Sequence, residues 1–72
     1  MVEAEIWAVY GHPHDYPDKF VARLFRGLKP TDNVIAEDTL EKLRNTLVSR
    51  YPGLEHFDRL PDDDPFIIET WW

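Results

Sequence analysis

Cysteine is absent from the 72-residue chain, which excludes disulfide bonds and thiolate metal sites. A domain this short buries only about 60% of the surface that its unfolded chain exposes. Its stability must therefore come from tight packing, from a partner, or from its three tryptophans, three tyrosines and four phenylalanines. Because oligomerisation often stabilises chains of this size, we predict a single domain, residues 1–72, that forms a homo-oligomer.

Long apolar runs and an excess of basic charge are also missing. The first residues show no basic region followed by an apolar run, so we expect no secretory signal and no membrane-spanning segment. The net charge is −6, which argues against direct binding of nucleic acid or of a membrane surface. We therefore predict a cytoplasmic protein whose acidic charge suits a basic protein partner, such as a nucleic-acid-binding host protein.

Three segments show the two-residue alternation of β-strands: residues 5–10, 20–25 and 66–72. In each segment one set of alternate residues is free of charge, and we predict that this set faces the core. The set consists of Ile6, Ala8, Tyr10, Phe20, Ala22, Leu24, Phe66, Ile68, Thr70 and Trp72. Its small members, Ala8 and Ala22, would let a helix approach the sheet closely.

The opposite set of strand residues mixes large apolar side chains with a few charges, unlike the mostly polar face of a solvated sheet. Because extended apolar patches tend to mark interaction sites, we predict an open face that binds a partner. The predicted partner-binding residues are Trp7, Val9, Val21, Arg23, Phe25, Ile67, Glu69 and Trp71. Two structural alternatives remain: another part of the chain covers this face, or Arg23 merely pairs with Glu5 or Glu69 across the strands.

A helical pattern follows the strands. Apolar residues recur along one face at Leu40, Leu43, Leu47, Val48 and Tyr51. This spacing predicts one amphipathic helix. We predict that Asp38 caps its start, with Glu41 completing a capping box, and that Pro52 and Gly53 end it.

The remaining segments complete the predicted fold. Residues 34–36 are predicted as a short edge strand, and residues 54–60 are ambiguous between strand and coil. The chain is therefore predicted to be an α+β domain with a three- to four-stranded antiparallel sheet and one helix packed on one face. The predicted order of elements is β-β-(β)-α-(β)-β.

A histidine and aspartate cluster lies between the first two strands. On an extended backbone residues two apart point the same way, so His12 and His14 could share a metal ion with Asp15. The same side chains could act as acid and base, which makes a small metal- or ligand-binding enzyme the alternative function. The simpler interpretation is a structured turn, because matches this short are often accidental. With three glycines and no phosphate-binding loop, we predict a non-enzymatic protein without a cofactor or metal.

An acidic patch, Asp62, Asp63 and Asp64, lies between two prolines. A calcium-binding loop needs alternating ligands and a glycine at its bend, and this segment has neither. Two interpretations remain: a solvated turn, and a surface that mimics the phosphates of nucleic acid. The second requires other acidic side chains to lie beside these three.

Residues 7–23, WAVYGHPHDYPDKFVAR, and residues 62–71, DDDPFIIETW, resemble small uncharacterised proteins of bacterial genomes and their phages. The two runs lie toward opposite ends of the chain, so the resemblance would span most of it, and it implies no particular activity. By analogy, a phage setting favours a protein that binds a host protein, as anti-CRISPR and other anti-defence proteins do. We therefore expect a small acidic interaction protein that binds a host protein, or itself, through an aromatic open sheet face.

Overall fold

A computed structural model describes residues 4–58 and 66–72 of the chain, which form five strands and one helix. The strands are β1 (Glu5–Gly11), β2 (Phe20–Arg26), β3 (Lys29–Glu37), β4 (His56–Asp58) and β5 (Ile67–Trp71), and the helix is α1 (Leu40–Arg50). All strand pairs are antiparallel, and the order across the sheet is β3-β2-β1-β5-β4. The α+β class is confirmed, and the sheet has five strands where three or four were predicted.

The two outer strands account for the larger sheet. Strand β3 extends well beyond the predicted residues 34–36, because a two-residue turn pairs it with β2 from Arg26 onward. Gly27 adopts a φ of 59° in this turn, a left-handed conformation that glycine reaches without a Cβ clash. Strand β4 occupies part of the ambiguous segment and pairs with the outer side of β5.

The N-terminus of α1 is capped by Thr39. The Thr39 backbone is extended, with φ −130° and ψ 154°, and its Oγ1 accepts a hydrogen bond from the Lys42 amide at 3.1 Å. The predicted cap, Asp38 with Glu41, is therefore wrong. The Asp38 carboxylate instead accepts a hydrogen bond from Lys19 Nζ at 2.6 Å.

Leu43 and Leu47 anchor α1 to the sheet, and both are fully buried. The core is formed by these two leucines with Trp7, Val9, Ala22, Leu24, Ile35 and Trp71. Burial of a leucine side chain stabilises a fold by about 1.5–3 kcal/mol. Val48 and Tyr51 remain 52% and 42% exposed, so only part of the predicted apolar stripe faces the sheet.

The sheet face beneath α1 differs from the prediction in β1 and β5. Four residues predicted for the open face lie under the helix: Trp7, Val9, Glu69 and Trp71. The register explains this, because Trp7 pairs with both Leu24 and Trp71 and therefore shares their side of the sheet. Alternation within one strand cannot show which side of its neighbour it matches. In β2 the core positions Ala22 and Leu24 are as predicted.

A β-bulge in β5 also changes the alternation. Val9 pairs with Glu69 while Tyr10 pairs with Ile67, which leaves Ile68 as the extra residue. Ile68 packs against the core, and a Cβ at Gly11 would lie only 3.0 Å from its Cδ1. Glycine at position 11 therefore gives the bulged side chain its space.

Candidate interaction surface

The eight predicted partner-binding residues divide between the two faces of the sheet. Val21, Arg23, Phe25 and Ile67 lie on the face that α1 leaves uncovered. The other four, beneath α1, are at most 7% exposed, and they are Trp7, Val9, Glu69 and Trp71. A docking surface centred on the two tryptophans of β1 and β5 is therefore excluded by this fold.

Strand pairing aligns apolar side chains in rows across the helix-free face. Phe25 of β2 lies beside Ile6 of β1. In the neighbouring row Ala8 pairs with Thr70, which in turn pairs with Phe57 of β4. The face is thus largely aliphatic and aromatic at the end that includes the β2–β3 turn.

Three exposed side chains extend this surface. Leu28, in the two-residue turn, is 97% exposed. The Phe57 and Trp72 rings stack with centroids 4.6 Å apart and planes inclined by 22°. A shallow cavity of ≈ 200 Å³ opens between Phe25, Leu28 and Ile67. We define the apolar patch as Ile6, Phe25, Leu28, Phe57, Ile67 and Trp72.

Sequence reasoning missed four members of the apolar patch. Ile6 and Trp72 were placed in the core because they alternate with charged or mixed positions, and Phe57 lies in the segment left ambiguous. For Leu28, the sequence did contain a signal that would have predicted its exposure. A large apolar residue at the tip of a two-residue hairpin turn projects beyond the strands, so no neighbouring strand can cover it.

The opposite end of the helix-free face is covered by the β1–β2 loop. Pro13 and Tyr16 of the loop line a cavity of ≈ 100 Å³ together with Tyr10, Val21 and Arg23. Val21 is consequently only 2% exposed. Within residues 4–58 and 66–72, the alternative that the chain covers its own open face therefore applies to this end.

Arg23 marks the boundary between the covered and open ends. Its Nη1 donates to the Thr31 carbonyl oxygen at 3.0 Å, and its Nη2 donates to Asp15 Oδ2 at 3.4 Å. The predicted partners Glu5 and Glu69 lie on the opposite face of the sheet, with Trp7. The ion pair of Arg23 thus ties the β1–β2 loop to the sheet.

A buried carboxylate forms a separate polar cluster under α1. Glu69 is 1% exposed and accepts hydrogen bonds from Arg44 Nε at 3.1 and 3.2 Å and from Trp71 Nε1 at 2.7 Å. A further hydrogen bond comes from Arg44 Nη2, and His56 Nε2 lies 3.2 Å from Glu69 Oε1. One side chain therefore connects α1, β4 and β5.

Opposing effects set the pKa of Glu69. Burial raises the pKa, but hydrogen bonds donated by Arg44 and Trp71, together with electrostatic interactions with Arg44 and His56, outweigh burial, so the pKa of Glu69 lies below its usual range. The hydrogen bonds that Arg44 donates to Glu69 in turn raise the pKa of the Arg44 guanidinium. The carboxylate is therefore ionised, with its oxygens engaged by neighbouring donors, and it serves to fasten the helix to the sheet.

The histidines of the β1–β2 loop have separate environments. His12 adopts a φ of 50°, not the extended backbone assumed for a shared metal site. Its Nδ1 donates to the Pro17 carbonyl oxygen at 2.9 Å, and its ring centroid lies 4.8 Å from that of Phe20. The His14 ring instead meets the edge of Phe66, with centroids 5.9 Å apart.

The third potential ligand in the loop, Asp15, is paired with Arg23. In residues 4–58 and 66–72 no three His, Cys, Asp or Glu side chains converge as a metal site would require. The described residues therefore do not form the shared metal site, and the alternative enzyme function at this loop stays a prediction. The predicted acidic patch at Asp62, Asp63 and Asp64 lies outside the described residues, and phosphate mimicry stays a prediction.

The helix α1 has 11 residues, and no helix in the described part of the chain is long and apolar enough to cross a membrane. Comparison of the chain with protein-family models, with curated proteins and with solved structures finds no match. Functional arguments for this protein therefore depend on the geometry of its own surface.

Proposed function

We propose that the chain is a non-enzymatic interaction protein of the cytoplasm, and that its apolar patch binds a second copy of the chain. The observation that carries this proposal is the contiguity of six large apolar side chains on the sheet face that α1 leaves uncovered. Single exposed apolar residues are ordinary on protein surfaces. Contiguous apolar patches, in contrast, mark binding sites.

Leu28 illustrates the free energy that burial of an exposed apolar side chain contributes to association. It is 97% exposed, and neither the turn nor the core requires a leucine at this position. Burial of such a side chain is favourable by about 1.5–3 kcal/mol, and that free energy is available only if another molecule covers it. Phe57 and Trp72, at 36% and 55% exposure, have further apolar area to bury.

The size of the helix-free face suits a small dimer. Five strands about 4.8 Å apart, with about six residues rising about 3.3 Å each, give a plane of about 24 by 20 Å. That plane of about 480 Å² is smaller than the ~800 Å² that each partner contributes to an interface of standard size. Because the β1–β2 loop covers one end, we expect a smaller interface and a dissociation constant on the order of micromolar.

The charge distribution supports a second copy as the occupant. The molecule carries a net charge of −6, whereas none of the six residues of the apolar patch is charged. Two patches can therefore meet without opposing carboxylates at the centre. Long-range repulsion between two acidic molecules weakens as salt screens it, so the dimer should tighten with ionic strength.

Sedimentation equilibrium at several protein and salt concentrations tests this proposal. We expect reversible dimers, and Leu28→Glu should weaken dimerisation at least about tenfold, because it places two like charges in an apolar interface. Val48→Glu is the matched control, since it adds the same charge at an exposed position on α1. A wild-type chain that stays monomeric throughout, or equal effects of the two variants, would contradict the proposal.

A basic host protein is the other occupant to be considered for the apolar patch. The narrower expectation, an anti-CRISPR-like or other anti-defence inhibitor, draws its support from the resemblance to phage proteins. Salt distinguishes the two occupants, because a complex with a basic protein weakens as ionic strength rises. A monomeric chain that binds a purified basic partner, and loses it in Leu28→Glu, would replace self-association as the function of the patch.

A further inference from the structure

A pocket on the helix side of the sheet is separate from the apolar patch. It lies beside the C-terminal end of α1, over the beginning of β1, and its volume is ≈ 270 Å³. Its lining residues are Glu5, Trp7, Leu24, Asn33, Tyr51 and Leu54. The pocket therefore combines aromatic, aliphatic, amide and carboxylate groups within one concave surface.

Two aromatic side chains dominate the pocket. Trp7 is 5% exposed and forms part of its floor, whereas Tyr51 is 42% exposed and forms a wall. Their ring centroids are 5.4 Å apart, with planes inclined by 36°. The faces of such rings carry negative potential and attract a cation that lies within about 6 Å of the centroid.

The surroundings of the pocket add negative potential. The Glu5 side chain is 55% exposed and forms a loose, solvent-exposed ion pair with Arg26, whose Nε lies 3.9 Å from Glu5 Oε2, so the carboxylate charge is only partly compensated. The helix α1 ends at Arg50 with Tyr51 as C-cap, and the C-terminus of a helix carries about half a negative charge, which attracts cations and which the exposed Arg50 side chain of the last turn partly offsets. Carboxylate, helix terminus and ring faces thus favour the same kind of ligand.

We propose that this pocket binds an organic cation, namely an alkylammonium or guanidinium group. The group is either free in solution or carried by a lysine or arginine side chain of a protein. The aliphatic walls at Leu24 and Leu54 suit the methyl or methylene groups of such a ligand. The net charge of −6 raises the concentration of cations near the molecule.

Two-dimensional NMR titration tests the cation site. Choline represents a free alkylammonium ion, and N-acetylarginine amide represents a protein side chain. Their neutral isosteres, 3,3-dimethylbutan-1-ol and N-acetylcitrulline amide, control for shape. We expect saturable shifts at the Trp7 indole N–H for the cations, with a dissociation constant on the order of 10 mM for so open a site.

Variants test the residues of the site. Glu5→Gln and Tyr51→Leu should each weaken cation binding about threefold, while Glu41→Gln, an exposed acid in the first turn of α1, should leave it unchanged. Leu28→Glu should also bind normally, because the site is independent of the apolar patch. Tighter binding of either cation identifies its natural source. Equal binding of the neutral isosteres, or wild-type affinity in both pocket variants, would overturn the proposal.

Discussion

Removal of Arg44 should destabilise the fold more than removal of the Glu69 charge, although the two side chains form one ion pair. In Arg44→Met the Glu69 carboxylate remains 1% exposed and loses its guanidinium donors, retaining only Trp71 and His56 as neighbours. In Glu69→Gln the buried charge itself is gone, and the amide oxygen still accepts from Trp71. The Arg44 side chain is 44% exposed and regains water as a partner.

The expected magnitudes follow from what each variant leaves buried. Breaking a buried pair so that one charge stays uncompensated costs about 3–5 kcal/mol. We expect about 3 kcal/mol for Arg44→Met, because His56 and Trp71 still stabilise the carboxylate. For Glu69→Gln we expect about 1–2 kcal/mol, the difference between hydrogen bonds to a charged and to a neutral acceptor. Against a total stability of about 5 kcal/mol for a chain this small, both losses are measurable.

Equilibrium urea unfolding at neutral pH, followed by tryptophan fluorescence, measures these free energies. Arg50→Met is the matched control, since Arg50 is an exposed arginine in the last turn of the same helix. If Arg44→Met is too unstable to fold, Arg44→Lys retains the charge without the paired donors and should fall between the wild type and Arg44→Met. Equal losses for Arg44→Met and Glu69→Gln, or a larger loss for Glu69→Gln, would refute the reasoning.

Two further predictions concern acid stability and the helix cap. The pKa of Glu69 is held below its ordinary value of 4.5, so its contribution to stability is complete above that pH and is lost as pH falls through the lower folded-state pKa. Unfolding measured from neutral pH downward should show this loss below pH 4.5 in the wild type, and a correspondingly smaller one in Glu69→Gln. Thr39→Ala should lower the free energy of unfolding by about 1 kcal/mol, and Asp38→Ala should cost less. If Asp38→Ala lowered the free energy of unfolding as much as Thr39→Ala or more, Asp38 would be identified as the helix cap.

Local patterns were sufficient for most secondary structure in this chain. The spacing of Leu43 and Leu47 marks the buried side of α1, and the helix ends just before Pro52 and Gly53. Alternation located β1, β2 and β5 within a residue or two. The cap was misplaced by one position because Asp38 and Thr39 are adjacent and both residue types cap helices well.

The assignment of sheet faces required information that no single strand contains. In β5 the alternate residues without charge were predicted to face the core, and this was wrong because Glu69, from the other set, is buried. Its charge is compensated by Arg44, 25 positions earlier in the chain. The bulge at Ile68 then places two successive side chains on the helix side. Only the register, which joins Trp7 to Leu24 and Trp71, reveals which alternate sets belong together.

The outer strands of the sheet determine what form self-association can take. Strand β4 has only three residues, and β3 contains Pro30, which has no amide hydrogen to offer, together with the charged side chains of Lys29, Asp32 and Glu37. Short, charged or proline-containing edges resist the addition of further strands. Growth into fibrils from either edge is thus disfavoured. A dimer that forms through the sheet faces buries the apolar patch of both copies and leaves none exposed for a third. Concentrated solutions should therefore contain dimers and not polymers.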